Sequence, residues 1–116
     1  MNENYLHFIW HKKRLPFHKI QTKNLEYVEI INVGDYNEHE SGPDFTMAKV
    51  RIDGLVWVGS IELHVKSSDW YRHKHHLDKA YNNVILHVVY EHDKDVHLCG
   101  RKLPVIELKQ HVDYEH

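Results

Sequence analysis

Cysteine is almost missing from this 116-residue chain: the single Cys99 has no internal partner, so no disulfide can staple the fold. With no signal peptide in view, that lone thiol points to a reducing cytoplasm. Long apolar runs are missing as well. Stretches such as Val84–Leu86 and Val88–Tyr90 fall far short of the roughly 20 apolar residues a membrane helix needs. Charge of one sign is also lacking, since 15 Lys and Arg face 17 Asp and Glu, a formal net charge of −2. That balance argues against a strongly basic nucleic-acid module and leaves any such binding to a local patch. There is no repeat, no low-complexity tract and no Gly/Ser linker. One domain over residues 1–116 is therefore expected, near the usual size of about 100–150 residues. A chain of this length buries about two-thirds of its unfolded surface, enough for a real core. The tail HVDYEH has no pattern and ends abruptly, as the front part of a longer protein would.

What the chain has in excess is histidine, 13 residues of it. Many of these side chains can titrate near pH 6.5, so mild acidification moves the net charge from slightly negative to positive. His73, His75 and His76 have the look of metal ligands. Without cysteines or a matching second cluster, a closed structural zinc site is not expected, and solvated surface histidines are the default reading.

Helical spacing of Tyr5, Phe8, Ile9 and Lys12 predicts a short amphipathic helix over 3–12, capped by Asn2 or Asn4 and stopped by Pro16. The β-branched stretch 26–33 (EYVEIINV) reads as a strand, and 34–43 (GDYNEHESGP) as a polar loop. Segments 45–53 and 55–66 are separated by Asp53-Gly54, the strongest short hairpin signal. In the second of them Trp57, Gly59, Ile61, Leu63 and Val65 alternate with Ser60, Glu62, His64 and Lys66. Alternation of period two sends these sets to opposite faces. One face packs, and the other presents an acid, an imidazole and an amine in a row. Ser68-Asp69 caps an irregular helix over 70–82, and 84–91 (VILHVVYE) is a strand covered on both sides apart from His87. Residues 96–99 and 105–109 are expected to form a smaller hairpin around Gly100. The order helix, three strands, helix, strand, then extra strands predicts an α/β (α+β) domain built on a mixed sheet.

Asp44 at the mouth of one hairpin strand and Glu62 midway along its partner can converge, because paired strands lie about 4.8 Å apart. Carboxylate oxygens suit Mg²⁺ or Mn²⁺, which keep waters and accept phosphate oxygens. Such an ion polarises a phosphodiester. His64 or Lys66 on the same face could orient the attacking water or offset developing charge. Each residue also has an ordinary reading. Asp44 after Gly-Pro can cap a loop, Glu62 and Lys66 can be a weak surface ion pair, and His87 can be a hydrogen-bonded core histidine.

The run Pro43-Asp44, a hairpin, then Glu62-x-His64-x-Lys66 resembles the PD-(D/E)XK nuclease superfamily, whose αβββαβ core follows the predicted element order. The resemblance implies a restriction-endonuclease-like fold with an extra C-terminal hairpin. It implies metal ligation by Asp44 and Glu62, catalysis assisted by His64 or Lys66, and DNA or RNA as substrate. At position 64 stands His where the pattern has Lys, and Lys66 lies one strand repeat further on. A histidine is tolerated there in the very-short-patch repair branch, which also looks similar around Pro43-Asp44-Phe45 and Trp70…His73…His75, though its zinc-binding cysteines are absent here. More specifically, GPDFTMAKVRIDG and GSIELHVKSSDWYRHKHHLDKAYNNVILHVVYEHD look like a bacterial family catalogued as domain of unknown function 2851, over roughly Tyr5 to Leu108. Two further readings stand beside the nuclease. One is an inactive nucleic-acid-binding or scaffolding domain using Lys49, Arg51, Arg72 and Lys74 (with Lys66) on phosphates. The other is a small-molecule metalloenzyme using Glu62, His64 and His73, His75 or His76.

Overall fold

The Asp53-Gly54 pair turns the chain as its chemistry dictates. In the computed structural model, which describes residues 1–12, 20–39 and 41–110, both adopt positive φ, 47° and 84°, as a tight primed hairpin turn requires. The turn joins β3 (Phe45–Ile52) to β4 (Leu55–Lys66). Upstream lie α1 (Glu3–His11), β1 (Val28–Asn32) and the two-residue β2 (Asp35–Tyr36). Downstream come α2 (Asp69–Arg72), 3₁₀ turns at His75–Leu77 and Lys79–Tyr81, then β5 (Val84–Glu91). The chain continues into the short strands β6 (His97–Leu98), β7 (Arg101–Lys102) and β8 (Val105–Glu107).

The main sheet runs β1-β3-β4-β5-β8, with β2 also paired to β3. Its β1–β3–β4 half is antiparallel and its β4–β5–β8 half parallel, so the molecule is an α+β domain on a mixed sheet. Parallel neighbours need a crossover, and α2 with the two 3₁₀ turns provides it between β4 and β5. On one face α1 lays Leu6, Ile9 and Trp10 against Phe45, Ala48, Ile61, Leu63, Leu86, Val88 and Ile106. On the other, Trp70 and Tyr81 pack with Val84, Val96 and Leu103.

The stretch expected as a loop over 34–43 contains the two-residue β2, and three further elements differ from expectation. The buried stripe of α1 is Leu6, Ile9 and Trp10, while Tyr5 and Phe8 are exposed and stack on each other. The i, i+3, i+4 set that includes the tryptophan buries more area than the set that excludes it, and Trp10 Nε1–H also donates to the Val33 carbonyl at 3.0 Å. The helix expected over 70–82 is one α-turn and two 3₁₀ turns. Ser68 does not cap it by side chain; its amide and hydroxyl instead donate to Asp93 at 2.9 and 2.7 Å, pinning the crossover to the turn after β5. The C-terminal hairpin is β6 with β7, whereas β8 leaves it and joins the main sheet parallel to β5. Pro16 and the tail 111–116 lie outside the described residues. No helix among the described residues is long and apolar enough to cross a membrane.

A register shift in β3 decides which side chains face each other at the far end of the hairpin. Near the turn Ile52 pairs with Leu55 and Ala48 with Gly59, but Phe45 pairs with Ile61. One extra residue is absorbed at 46–47, where Met47 sits at φ 59°. Such a bulge re-aims everything beyond it. Asp44 therefore falls opposite Glu62, where unbroken pairing would have set it opposite Leu63.

Candidate metal centre

Asp44, just before β3, and Glu62, in the middle of β4, meet across this strand pair. The Asp44 amide donates to Glu62 Oε1 at 3.0 Å, and Asp44 Oδ2 accepts from the Leu63 amide at 2.8 Å. Both open into one pocket of about 230 Å³, lined also by Glu3, Tyr36, His64, His73, His75 and Tyr81. Glu62 is almost fully buried, with Oε2 3.2 Å from His64 Nε2 and 3.0 Å from His75 Nε2. Glu62 and His64 of the predicted row on β4 thus form the buried wall of a pocket, while Lys66 beyond them is exposed. Crossover residues roof the pocket, and β5 pairs alongside.

The carboxylates divide one charge between them. Burial pushes the Glu62 pKa up, and the neighbouring Asp44 charge pushes it further, to about 10. For Asp44, burial works upward and is outweighed by hydrogen bonds with His7 and Glu62 and from the Leu63 amide, so it stays below its ordinary value. Asp44 keeps the negative charge and Glu62 the proton. Burial, reinforced by neighbouring imidazoles, drives His64 and His75 down to about 4. The Glu62 contacts to these rings therefore join neutral groups at pH 7 and are not ion pairs. On α1, hydrogen bonding to Asp44 outweighs burial and raises His7, whose Nε2 lies 3.4 Å from Asp44 Oδ1. Burial and the Asp44 charge raise Glu3.

His87 is almost completely buried on β5, in register with Glu62. Its Nε2 lies 2.8 Å from His64 Nδ1, which fixes the His64 ring so that Nε2 faces the pocket. The core-histidine expectation for His87 is right in kind, and its partner is a pocket residue. Trp70 packs edge-on to both His75 and His87. Tyr81 stacks on His75 at 3.8 Å and donates its hydroxyl to the Gly42 carbonyl at 3.0 Å, tying the crossover to the loop before Asp44.

Of the residues singled out from sequence, Asp44, Glu62 and His64 come together. Lys66 does not join them: it is exposed at the end of β4, and its amide is engaged, donating to Asp69 Oδ2. Lys49 and Lys74 are exposed, Arg51 pairs with Glu29, and Arg72 pairs with Asp69 at 2.8 Å. None of these cations lines the pocket. His73 and His75 enter it, whereas His76 points to Tyr71. Glu3 and His7 were missed from sequence, although their i, i+4 spacing put a carboxylate and an imidazole on one helix face.

Among the described residues two groups of side chains could hold a metal ion: His64 with His73 and His75, and Glu3 with His7 and Asp44. The donor chemistry fits a divalent cation. Among the described residues three carboxyl groups and no Lys or Arg line the pocket, and Glu62 holds a proton that a cation would displace.

Fold and site together define an α+β domain with a buried carboxylate–imidazole pocket between its antiparallel and parallel half-sheets. Residues 3–116 match the model of a family described as "Protein of unknown function (DUF2851)", and the chain belongs to that family. No curated protein and no solved structure matches it.

Proposed function

We propose that this domain is a divalent-metal-dependent hydrolase of phosphodiester bonds in DNA or RNA, with Mg²⁺ or Mn²⁺ held by Asp44 and Glu62. The observation that carries the reading is the Asp44 amide's hydrogen bond to Glu62 across β3 and β4, at a pocket that no Lys or Arg lines among the described residues. Asp44 keeps its charge, so a phosphate enters such a pocket only together with a cation. The order α1, β1, β3, β4, α2, β5 also supports the resemblance to restriction-endonuclease-like nucleases.

A divalent ion supplies Lewis acidity and positive charge for the phosphate oxygens. The chain's own groups supply the rest. Asp44 is fixed by the Leu63 amide, and Glu62 by the Asp44 amide, so backbone donors hold both side chains at the pocket where a cation would bind. His64 stands two residues beyond Glu62, the place of the lysine in the nuclease pattern. Its depressed pKa keeps the imidazole neutral at pH 7, so its unprotonated ring nitrogen can accept a hydrogen bond from water and orient it. Burial on the β4 wall restricts bulk water around it.

Cleavage of plasmid DNA and single-stranded RNA by the full chain with Mn²⁺ tests the reading. Activity should vanish with chelator and in Asp44→Asn and Glu62→Gln, with circular dichroism unchanged. A wild-type chain that cleaves neither polymer with any divalent ion ends the proposal.

A further inference from the structure

We propose that His64, His73 and His75 form a second cation subsite in the same pocket, one selective for a borderline d-block ion of the Zn²⁺ or Co²⁺ type, with Glu62 Oε2 as fourth donor. One nitrogen from each of the three rings lies within 4.8 Å of the other two. A tetrahedral ion with metal–nitrogen bonds of about 2.0–2.1 Å needs donors roughly 3.4 Å apart, so the rings must close by a modest amount. The surroundings of each ring say which one moves. His64 is held by His87, and His75 is clamped between Trp70 and Tyr81. His73 is exposed where α2 ends and is free to swing in.

Simple aromatic packing would not demand that ring nitrogens converge. Here Nε2 of His64 and Nε2 of His75 both face one carboxyl oxygen, Glu62 Oε2, at 3.2 and 3.0 Å. The three rings also lie edge-on or stacked on one another, with centroids 5.2 to 5.6 Å apart. Neutral imidazoles are good ligands for such ions, whereas carboxylates and water suit Mg²⁺ and Mn²⁺. The pocket therefore has an imidazole end and a carboxylate end (Asp44 with Glu3 and His7), and Glu62 lies between them. This subsite does not depend on the phosphodiesterase reading, because an ion can bind here whether or not the domain cleaves anything.

Titration of the metal-free full chain with Co²⁺ at pH 7.5, read by visible absorption, tests it. The intense d–d bands of four- or five-coordinate cobalt should grow to one equivalent. They should weaken at least about tenfold in affinity in His73→Ala and in His75→Ala, and persist in Asp44→Asn. His73 is exposed, so its variant folds even if His75→Ala does not. Cobalt bound with unchanged affinity in His73→Ala, a spectrum of purely octahedral cobalt, or no binding overturns the proposal. If the predicted spectrum appears with no nucleic-acid cleavage, the subsite stands and the nuclease reading fails alone. Mg²⁺-dependent cleavage without the imidazole-dependent spectrum gives the reverse.

Discussion

The Asp44 amide donates to Glu62 Oε1 at 3.0 Å, while Asp44 Oδ2 accepts from the Leu63 amide at 2.8 Å. Backbone donors thus lock the two acids side by side, and the cost appears as the proton on Glu62.

Glu62→Gln mimics the protonated acid. Its stability without metal at pH 7 should lie within about 1 kcal/mol of wild type, since the buried group stays neutral and close in shape. The rise in Tm that Mn²⁺ gives wild type should disappear. Thermal melts with and without Mn²⁺ measure both.

The stability of the metal-free protein should pass through a maximum near pH 6.5. The folded pKa values of His64 and His75 are lowered to about 4, and that of His87 well below 6.5. These three contribute stability that is present above the unfolded value of 6.5 and lost as pH falls from there toward 4. Each accounts for a slope of up to about 1.4 kcal/mol per pH unit. Glu62, Glu3 and His7 have raised pKa values, so their contributions are present below their unfolded values and lost as pH rises. Below pH 6.5 three histidines outweigh the two glutamates; above it the groups with raised values act without them and stability declines. Denaturant unfolding from pH 4.5 to 9 gives the curve, and a divalent ion should flatten its alkaline side by keeping Glu62 ionised.

His87→Leu should cost about 1–3 kcal/mol, because it leaves the buried His64 Nδ1 without its partner. The same change frees the His64 ring and should weaken metal binding by about 10–100-fold. Calorimetry beside a denaturation curve separates the two effects.

Gly34→Ala should cost about 1–3 kcal/mol and weaken metal binding as well. Gly34 has φ 92°, and an added Cβ would lie 2.7 Å from the Thr46 carbonyl oxygen. Relief requires movement of the β3 bulge, and the bulge sets Asp44 opposite Glu62. Retained metal affinity in a destabilised variant would show that the bulge does not control the site.

That bulge also explains how much of the molecule was legible in the sequence. The hairpin and β5 were readable because turn chemistry and period-two alternation are local. Asp44, Glu62 and His64 stood out as a constellation for the same reason. The partner of Asp44 was not readable from strand spacing alone, since it depends on one residue at positive φ, and nothing about Met47 announces that conformation. His73 and His75 looked like surface residues because 70–82 suggested an irregular helix. Two 3₁₀ turns, ended by Tyr81 stacking on His75, fold them back over the sheet. Lys66 looked equivalent to His64 by alternation, but β4 leaves the roofed region before reaching it, so Lys66→Ala should change any cleavage rate by less than about threefold, a difference of under 1 kcal/mol.

Calorimetric titration of the metal-free chain with Mn²⁺ at pH 7.5, in buffers of different ionisation enthalpy, tests the central claim most directly. Ionic binding at Asp44 and Glu62 must expel the proton that Glu62 holds. The expected result is about one proton released per ion in wild type, and neither tight binding nor proton release in Glu62→Gln. An ion that binds wild type and Glu62→Gln alike without proton release, or no binding at all, contradicts the account.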